Sequence, residues 1–227
     1  MLTLVTRFSR VPASTPKFRS TAQAESKSMS NGRHAKIGLQ AGDALILVDV
    51  QNDFLPGGSL PVRAGNEVVP VLNRYLTLFH AHRLPVFATR DWHPPDHCSF
   101  QPQGGPWPPH CIAATQGAAF PASLHLPADT FVISKATARE RDAYSGFDNT
   151  QLDSLLKSTG AVRVFIGGLA TEYCVLNTVK DALRYHYTTF VLEDAIRAID
   201  TSLNHGRASA QLKTLGAIPI HLETLDA

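Results

Sequence analysis

The chain has 227 residues, a formal net charge of +2 and 44% hydrophobic residues. That is the length and composition of one substantial globular domain, and it excludes a disordered chain. Basic residues are scattered, so no nucleic-acid or membrane surface is expected, and no apolar run approaches the roughly 18 residues of a membrane span. Three cysteines, Cys98, Cys111 and Cys174, cannot all pair internally, and they point to a reducing compartment rather than a disulfide framework.

From Met1 to about Gly42 the chain is rich in Ser, Thr, Arg and Lys, with Glu25 its only acid. The composition is that of an organelle transit peptide and equally that of a disordered tail, and Met29 is an alternative start. Residues 1–42 are set apart as a leader, and a single domain is expected over 43–227. The location expected is cytoplasmic, or an organelle if residues 1–28 are a transit segment.

Ala44–Val48 is a continuous apolar run ending at Asp49, the pattern of a strand buried on both faces. A loop follows through Gly58. Val68–His82 has helical spacing, with Val69, Leu72, Leu76 and Phe79 on one face and Pro70 in its first turn. Pro85–Thr89 is a second strand running into Asp91 and His93. The segment 94–127 is dense in Pro and Gly, and a loop of that length inside a domain is more often functional than idle. Phe131–Ser134 is a strand ending at Lys135. Gln151–Ser158 reads as a helix. Val162–Ile166 is a strand expected to stop at the pair Gly167–Gly168, with a helix following it. Thr188–Leu192 is a strand, Ser202–Leu215 a helix closed by Gly216, and Ile218–Ile220 a last short strand. Alternating strands and helices predict an α/β domain, a mainly parallel doubly wound sheet in a three-layer α/β/α arrangement.

In such sheets function gathers beyond the carboxyl ends of the strands. Asp49, Asp91, Lys135 and the Gly167–Cys174 turn all fall there. A cysteine at the start of a helix meets unpaired N–H groups and the positive end of the helix dipole, which stabilise a thiolate and a nearby oxyanion. A cysteine nucleophile also needs a base and a counter-charge, which Asp49 and Lys135 can supply; alone, those two would be a buried ion pair. Asp91, His93 and His110 offer one carboxylate and two imidazoles, a donor set for zinc, iron or manganese. His97 is a further candidate. Phe54, Trp107 and Tyr173 are aromatics near these segments that could sandwich a flat ring.

Taken together, Asp49-Val-Gln-Asn-Asp-Phe54, Asp91-Trp-His-Pro94, His97-Cys-Ser-Phe100, Trp107-Pro-Pro-His110, Lys135, Asp142-Ala-Tyr-Ser-Gly-Phe147 and Gly168-Leu-Ala-Thr-Glu-Tyr-Cys174-Val175 resemble the nicotinamidases of the isochorismatase-like hydrolase superfamily. The resemblance runs in order from about Ala44 to the carboxyl terminus. Cys98 and Ala136 are residues its pattern does not require. It implies an isochorismatase-like fold and a catalytic triad of Asp49, Lys135 and Cys174. It also implies an oxyanion hole of the Ala170 and Cys174 N–H groups and a cis peptide between Leu169 and Ala170. A divalent ion, zinc first with iron or manganese as alternatives, would sit on Asp91, His93 and His110, with His97 in a second tier. Phe54, Trp107 and Tyr173 would hold the ring. The implied reaction turns nicotinamide into nicotinic acid and ammonia in NAD salvage, through a cysteine thioester and with the pyridine nitrogen on the metal. A carbamoyl or ureido amidohydrolase with the same triad is the alternative enzyme, and a non-enzymatic metal-binding module a third reading. The partner expected is the small-molecule substrate, with no nucleic acid or membrane; a homo-oligomer is left open.

Overall fold

Asp43–Val48 is buried at every one of its six residues. Side chains alternate between the two faces of a strand, so such a run needs cover on both sides. The computed structural model, which describes residues 36–199 and 204–226, provides that cover. Its elements in chain order are β1 (Ile37–Gly38), β2 (Asp43–Val48), α1 (Val68–Ala81), β3 (Val86–Asp91), β4 (Phe131–Lys135), α2 (Leu152–Ser158), β5 (Arg163–Leu169), α3 (Leu176–Arg184), β6 (Thr188–Arg197), α4 (Asn204–Thr214), β7 (Ile218–Ile220) and β8 (Leu225–Asp226).

Six strands form one sheet in the order β4-β3-β2-β5-β6-β7, and every pairing in it is parallel. Leu45 and Leu47 of β2 pack on the α1 side with Leu72, Leu76 and Phe79. Ala44, Ile46 and Val48 pack on the other side with Leu152 and Leu156 of α2, Val179 and Ala182 of α3 and Leu212 of α4. The result is the expected three-layer α/β/α arrangement. The chain runs outward from β2 to β3 and β4, then returns to β5 on the opposite flank of β2. This reversal opens a crevice at the carboxyl ends of β2 and β5, the place where parallel sheets bind ligands.

Three expectations need correction. β5 does not stop at Gly167–Gly168 but runs through both glycines to Leu169. Gly168 adopts φ +128°, and a Cβ there would sit 2.1 Å from the Val48 carbonyl oxygen. The glycines thus permit close packing of β5 on β2 rather than ending the strand. β6 extends five residues past Leu192, to Arg197, with a register shift against β5 between Ile166 and Gly168. The charged pair Glu193–Asp194 hid that continuation. Packing also starts ahead of residue 43: β1 pairs with β8, and Arg163 Nη2 donates to the Gly38 carbonyl at 2.9 Å. Two-residue strands carry no periodicity to read. Residues 1–35, and the expected helix start at Ser202, lie outside the described residues. Among the described residues no helix is long and apolar enough to cross a membrane.

Candidate active site

Asp49 is the first residue beyond β2, in the left-handed region at φ 50°, and its side chain is fully buried. Lys135 closes β4 directly beside Asp91, which closes β3. Lys135 is 1% exposed, so its ammonium must be met by protein groups. It is: Nζ lies 3.0 Å from Asp49 Oδ2 and 2.5 Å from Asp91 Oδ1, and it donates to the Ala143 carbonyl at 3.0 Å. Cys174 Sγ is 3.5 Å from the same nitrogen. The other oxygen of Asp49, Oδ1, accepts from Thr89 Oγ1 at 2.6 Å. The three expected triad residues therefore converge on one ammonium group.

Their charges follow from burial and company. Burial, with Asp91 nearby, pushes the Asp49 carboxyl above its usual range, against the downward pull of Lys135. Burial alone would lower the Lys135 value, yet Asp49 and Asp91 together hold it well above the ordinary lysine value. Two carboxylates thus share one cation. Burial also pushes the Cys174 thiol well up, although Lys135 pulls it down. Cys174 lies in a π-helical turn, Thr171–Val175, ahead of α3. The Leu169–Ala170 peptide at the entry to this turn is cis.

Asp91, His93 and His110 come together with ligand atoms all within 4.8 Å of one another, and all three are buried. His93 Nδ1 faces the His110 carbonyl at 3.0 Å, and His110 Nδ1 faces the Pro108 carbonyl at 2.7 Å. A ring nitrogen facing a carbonyl carries a proton, so in the neutral ring Nε2 is the bare nitrogen that a metal ligand requires. Burial lowers His93 to about 3, which keeps it neutral. The donor set fits a divalent ion. His97 stacks on His93 with ring centres 4.3 Å apart, but both its nitrogens are engaged, Nδ1 with Ser99 Oγ at 2.7 Å and Nε2 with the Arg141 carbonyl at 3.0 Å.

A cavity adjoins these groups, with Cys174, Asp91, His110 and Ala170 in its walls beside Phe54, Trp107 and Tyr173. Trp107 meets Tyr173 edge-on, centroids 5.2 Å apart. Sequence reading missed three wall residues, Leu60, Tyr144 and Ile199. Tyr144 lies inside the Asp142–Phe147 stretch, and its hydroxyl accepts from Trp107 Nε1 at 3.0 Å. Leu60 and Ile199 are plain aliphatics with no chemical signal. Also missed were the props behind the site. Gln51 Nε2 donates to the Asp91 carbonyl and Gln51 Oε1 accepts the Asp91 N–H, each at 2.8 Å, while Asp53 Oδ2 accepts the Cys111 N–H at 2.7 Å. These explain why the residues after Asp49 are so polar for a buried loop.

Residues 43–224 match the Isochorismatase domain family model. The chain belongs to this family. It is 38% identical to the nicotinamidase of Acinetobacter baylyi over 186 residues, covering 71% of this chain and 85% of that one. It superimposes with a TM-score of 0.77 on the crystal structure of a pyrazinamidase of Pyrococcus horikoshii in complex with zinc, at 44% identity over 80% of this chain and 99% of that one. PnC1 from L. infantum, in complex with nicotinate, gives a TM-score of 0.78 at 38% identity, over 85% and 99% of the two chains.

Proposed function

We propose that this chain is a nicotinamidase, releasing nicotinic acid and ammonia from nicotinamide. The observation that carries the reading is one aromatic-walled cavity lined by Cys174 together with Asp91 and His110 of the buried Asp91/His93/His110 set. Such a cavity suits a flat ring with a carboxamide on one side and a ligating nitrogen on the other. The family relatives support the substrate class.

Asp49 takes the thiol proton while Lys135 holds the negative charge in place, and Cys174 Sγ bonds to the carboxamide carbon. The Ala170 and Cys174 N–H groups receive the oxyanion. Asp49 then hands its proton to the nitrogen, the C–N bond breaks, and ammonia leaves a thioester on Cys174. Asp49 next takes a proton from water as its oxygen attacks the thioester. The C–S bond breaks, the acid departs and the proton returns to sulfur. Asp91, His93 and His110 would hold the divalent ion, zinc first with iron or manganese as alternatives. When bound, the ion supplies a coordination point for the ring nitrogen. Phe54, Trp107 and Tyr173 position the ring.

The catalytic unit is assigned to 43–227 together with the β1 pairing, and NAD salvage is the role assigned. The three free thiols support a reducing compartment, the cytoplasm if residues 1–28 are not a transit segment. The deciding experiment incubates purified protein with nicotinamide and measures ammonia and nicotinic acid. Equal release of both is expected. No release, with turnover of a ureido compound instead, overturns the reading.

A further inference from the structure

Ile199 is a half-buried aliphatic wall of the cavity, and it stands beyond the last hydrogen-bonded residue of β6. The chain there has left the sheet, so the ladder no longer fixes it. Its side chain packs against the core on the α1 side of the sheet, and its backbone is tied by Glu172, whose Oε1 accepts the Ile199 N–H at 3.0 Å. Glu172 belongs to the π-helical turn that carries the nucleophile, one residue before Tyr173 and two before Cys174. Its neighbour Thr171 is fully buried, which anchors the turn. One carboxylate therefore ties the aliphatic wall to the same five residues that present the thiol and one aromatic wall.

We propose that Glu172 is a specificity-determining positioning residue, which fixes Ile199 against the edge of the ring and so excludes ring-substituted carboxamides. It touches no reacting atom; it acts through Ile199. The inference rests on the ring-amide reading above and deepens it by naming the substrate class as small, unsubstituted heteroaromatic carboxamides. An apolar wall held at a fixed distance rejects an added methyl group because packed side chains yield little. A wall on a loose segment gives way. The tether also needs the reach of the glutamate carboxylate: shortening it by one methylene withdraws the acceptor from the Ile199 N–H.

The test compares wild type, Glu172→Ala, Glu172→Gln, Ile199→Ala and the Glu172→Ala/Ile199→Ala double variant. Two things are measured: kcat/KM for nicotinamide against a panel of singly ring-methylated nicotinamides, and amide hydrogen exchange at Ile199. Wild type should disfavour at least one ring-methylated isomer by about tenfold or more, the range of one methylene in an apolar pocket. Glu172→Ala and Ile199→Ala should each relax discrimination against that same isomer. The double variant should do no more than either alone, because both act through one contact. Glu172→Gln, which keeps an acceptor oxygen, should restore discrimination, and only the Glu172→Ala variants should speed exchange at Ile199. Glu172→Ala that lowers thermal stability but leaves the discrimination ratio unchanged overturns the proposal. So does additive relaxation in the double variant, or unchanged exchange at Ile199. A wild-type protein inactive on nicotinamide overturns the proposed function, and the exchange measurement then still decides the tether.

Discussion

Lys135 and Asp91 form an ion pair of 2.5 Å, closer than the 3.0 Å between Lys135 and Asp49. The carboxylate proposed to hold the metal is therefore also a partner of the triad ammonium, and the two halves of the site share one charge system. Removing the ammonium leaves two buried carboxylates facing each other, which costs about 3–5 kcal/mol when a buried pair is broken. Lys135→Ala should lower kcat/KM by about 10³-fold, the scale of losing one preorganised charge contact, and should leave metal retention undiminished, since a cation that competes for Asp91 is gone. The assay is ammonia release together with metal analysis of the purified variant. A near-normal rate would demote Lys135 to a structural ion pair.

Cys174→Ala should abolish turnover, with a loss of about 10⁴-fold or more, the scale seen when a covalent nucleophile is removed. Metal content and fold should survive, since the thiol donates to none of the Asp91, His93 and His110 ligand atoms. Far-ultraviolet dichroism, metal analysis and ammonia release check the three parts. Substantial residual hydrolysis would remove the thioester mechanism.

Activity should fail on acidification earlier than an ordinary aspartate would dictate. In the proposed mechanism Asp49 must be ionised to take the thiol proton, and burial raises its value in the folded protein. The acid limb of kcat/KM should therefore lie above the usual carboxylate value of 3.8. Stability follows by linkage. Because the folded state holds the Asp49 proton more tightly, its contribution is largest below 3.8 and is lost as pH rises through the raised value. Lys135 behaves alike at the other end: its contribution is fully present below 10.5 and is lost as pH climbs through its raised value. Denaturant titrations from neutral to strongly alkaline pH should show stability falling above about 10.5. A flat profile would contradict the buried ion pair.

The sheet was legible because β2 and the helix α1 carry unmixed periodic patterns, and because strand ends announce themselves by an abrupt acid or lysine. Asp49, Asp91 and Lys135 were visible for that reason. What stayed hidden was whatever depends on a partner far along the chain. The extension of β6 past Glu193 looked like a loop because its polar residues find partners elsewhere: Glu193 with Lys213 at 3.0 Å, Asp194 with Tyr75 at 2.9 Å. The Lys135–Asp91 contact was equally invisible, since it depends on the register of β3 against β4. Wall residues such as Ile199 have no chemistry of their own to betray them.

Gly168 has the look of a turn signal in the sequence, and its role in the sheet makes a sharp prediction. At φ +128° an L side chain is strained, and a Cβ would meet the Val48 oxygen, nitrogen and carbonyl carbon at 2.1–2.8 Å. All three are backbone atoms in the centre of the sheet, so nothing flexible can yield. Gly168→Ala should destabilise the fold by about 3 kcal/mol or more, combining an unfavourable backbone conformation with overpacking. Urea denaturation of the purified variant, or its failure to accumulate in soluble form, is the measurement. Wild-type stability would mean that β5 can move away from β2 at no cost.

The metal set allows the substrate to be tested through its ring nitrogen. If the ion orients the ring by that nitrogen, removing it should harm nicotinamide far more than an amide lacking the nitrogen. Chelated protein should lose nicotinamide hydrolysis, and added zinc, iron or manganese should restore it. Benzamide should be a poor substrate with or without metal. His110→Ala should mimic the chelated protein, because one carboxylate and one imidazole hold a divalent ion weakly. His97→Ala should retain metal, since both nitrogens of His97 are bound to Ser99 and Arg141 rather than turned to the Asp91 carboxylate. Metal stoichiometry before and after dialysis, with ammonia release from both amides, reads all of these. Should chelated protein hydrolyse nicotinamide at the full rate, the ring nitrogen would have no part in binding. A ureido or carbamoyl substrate on the same Asp49–Lys135–Cys174 triad would then be the better account.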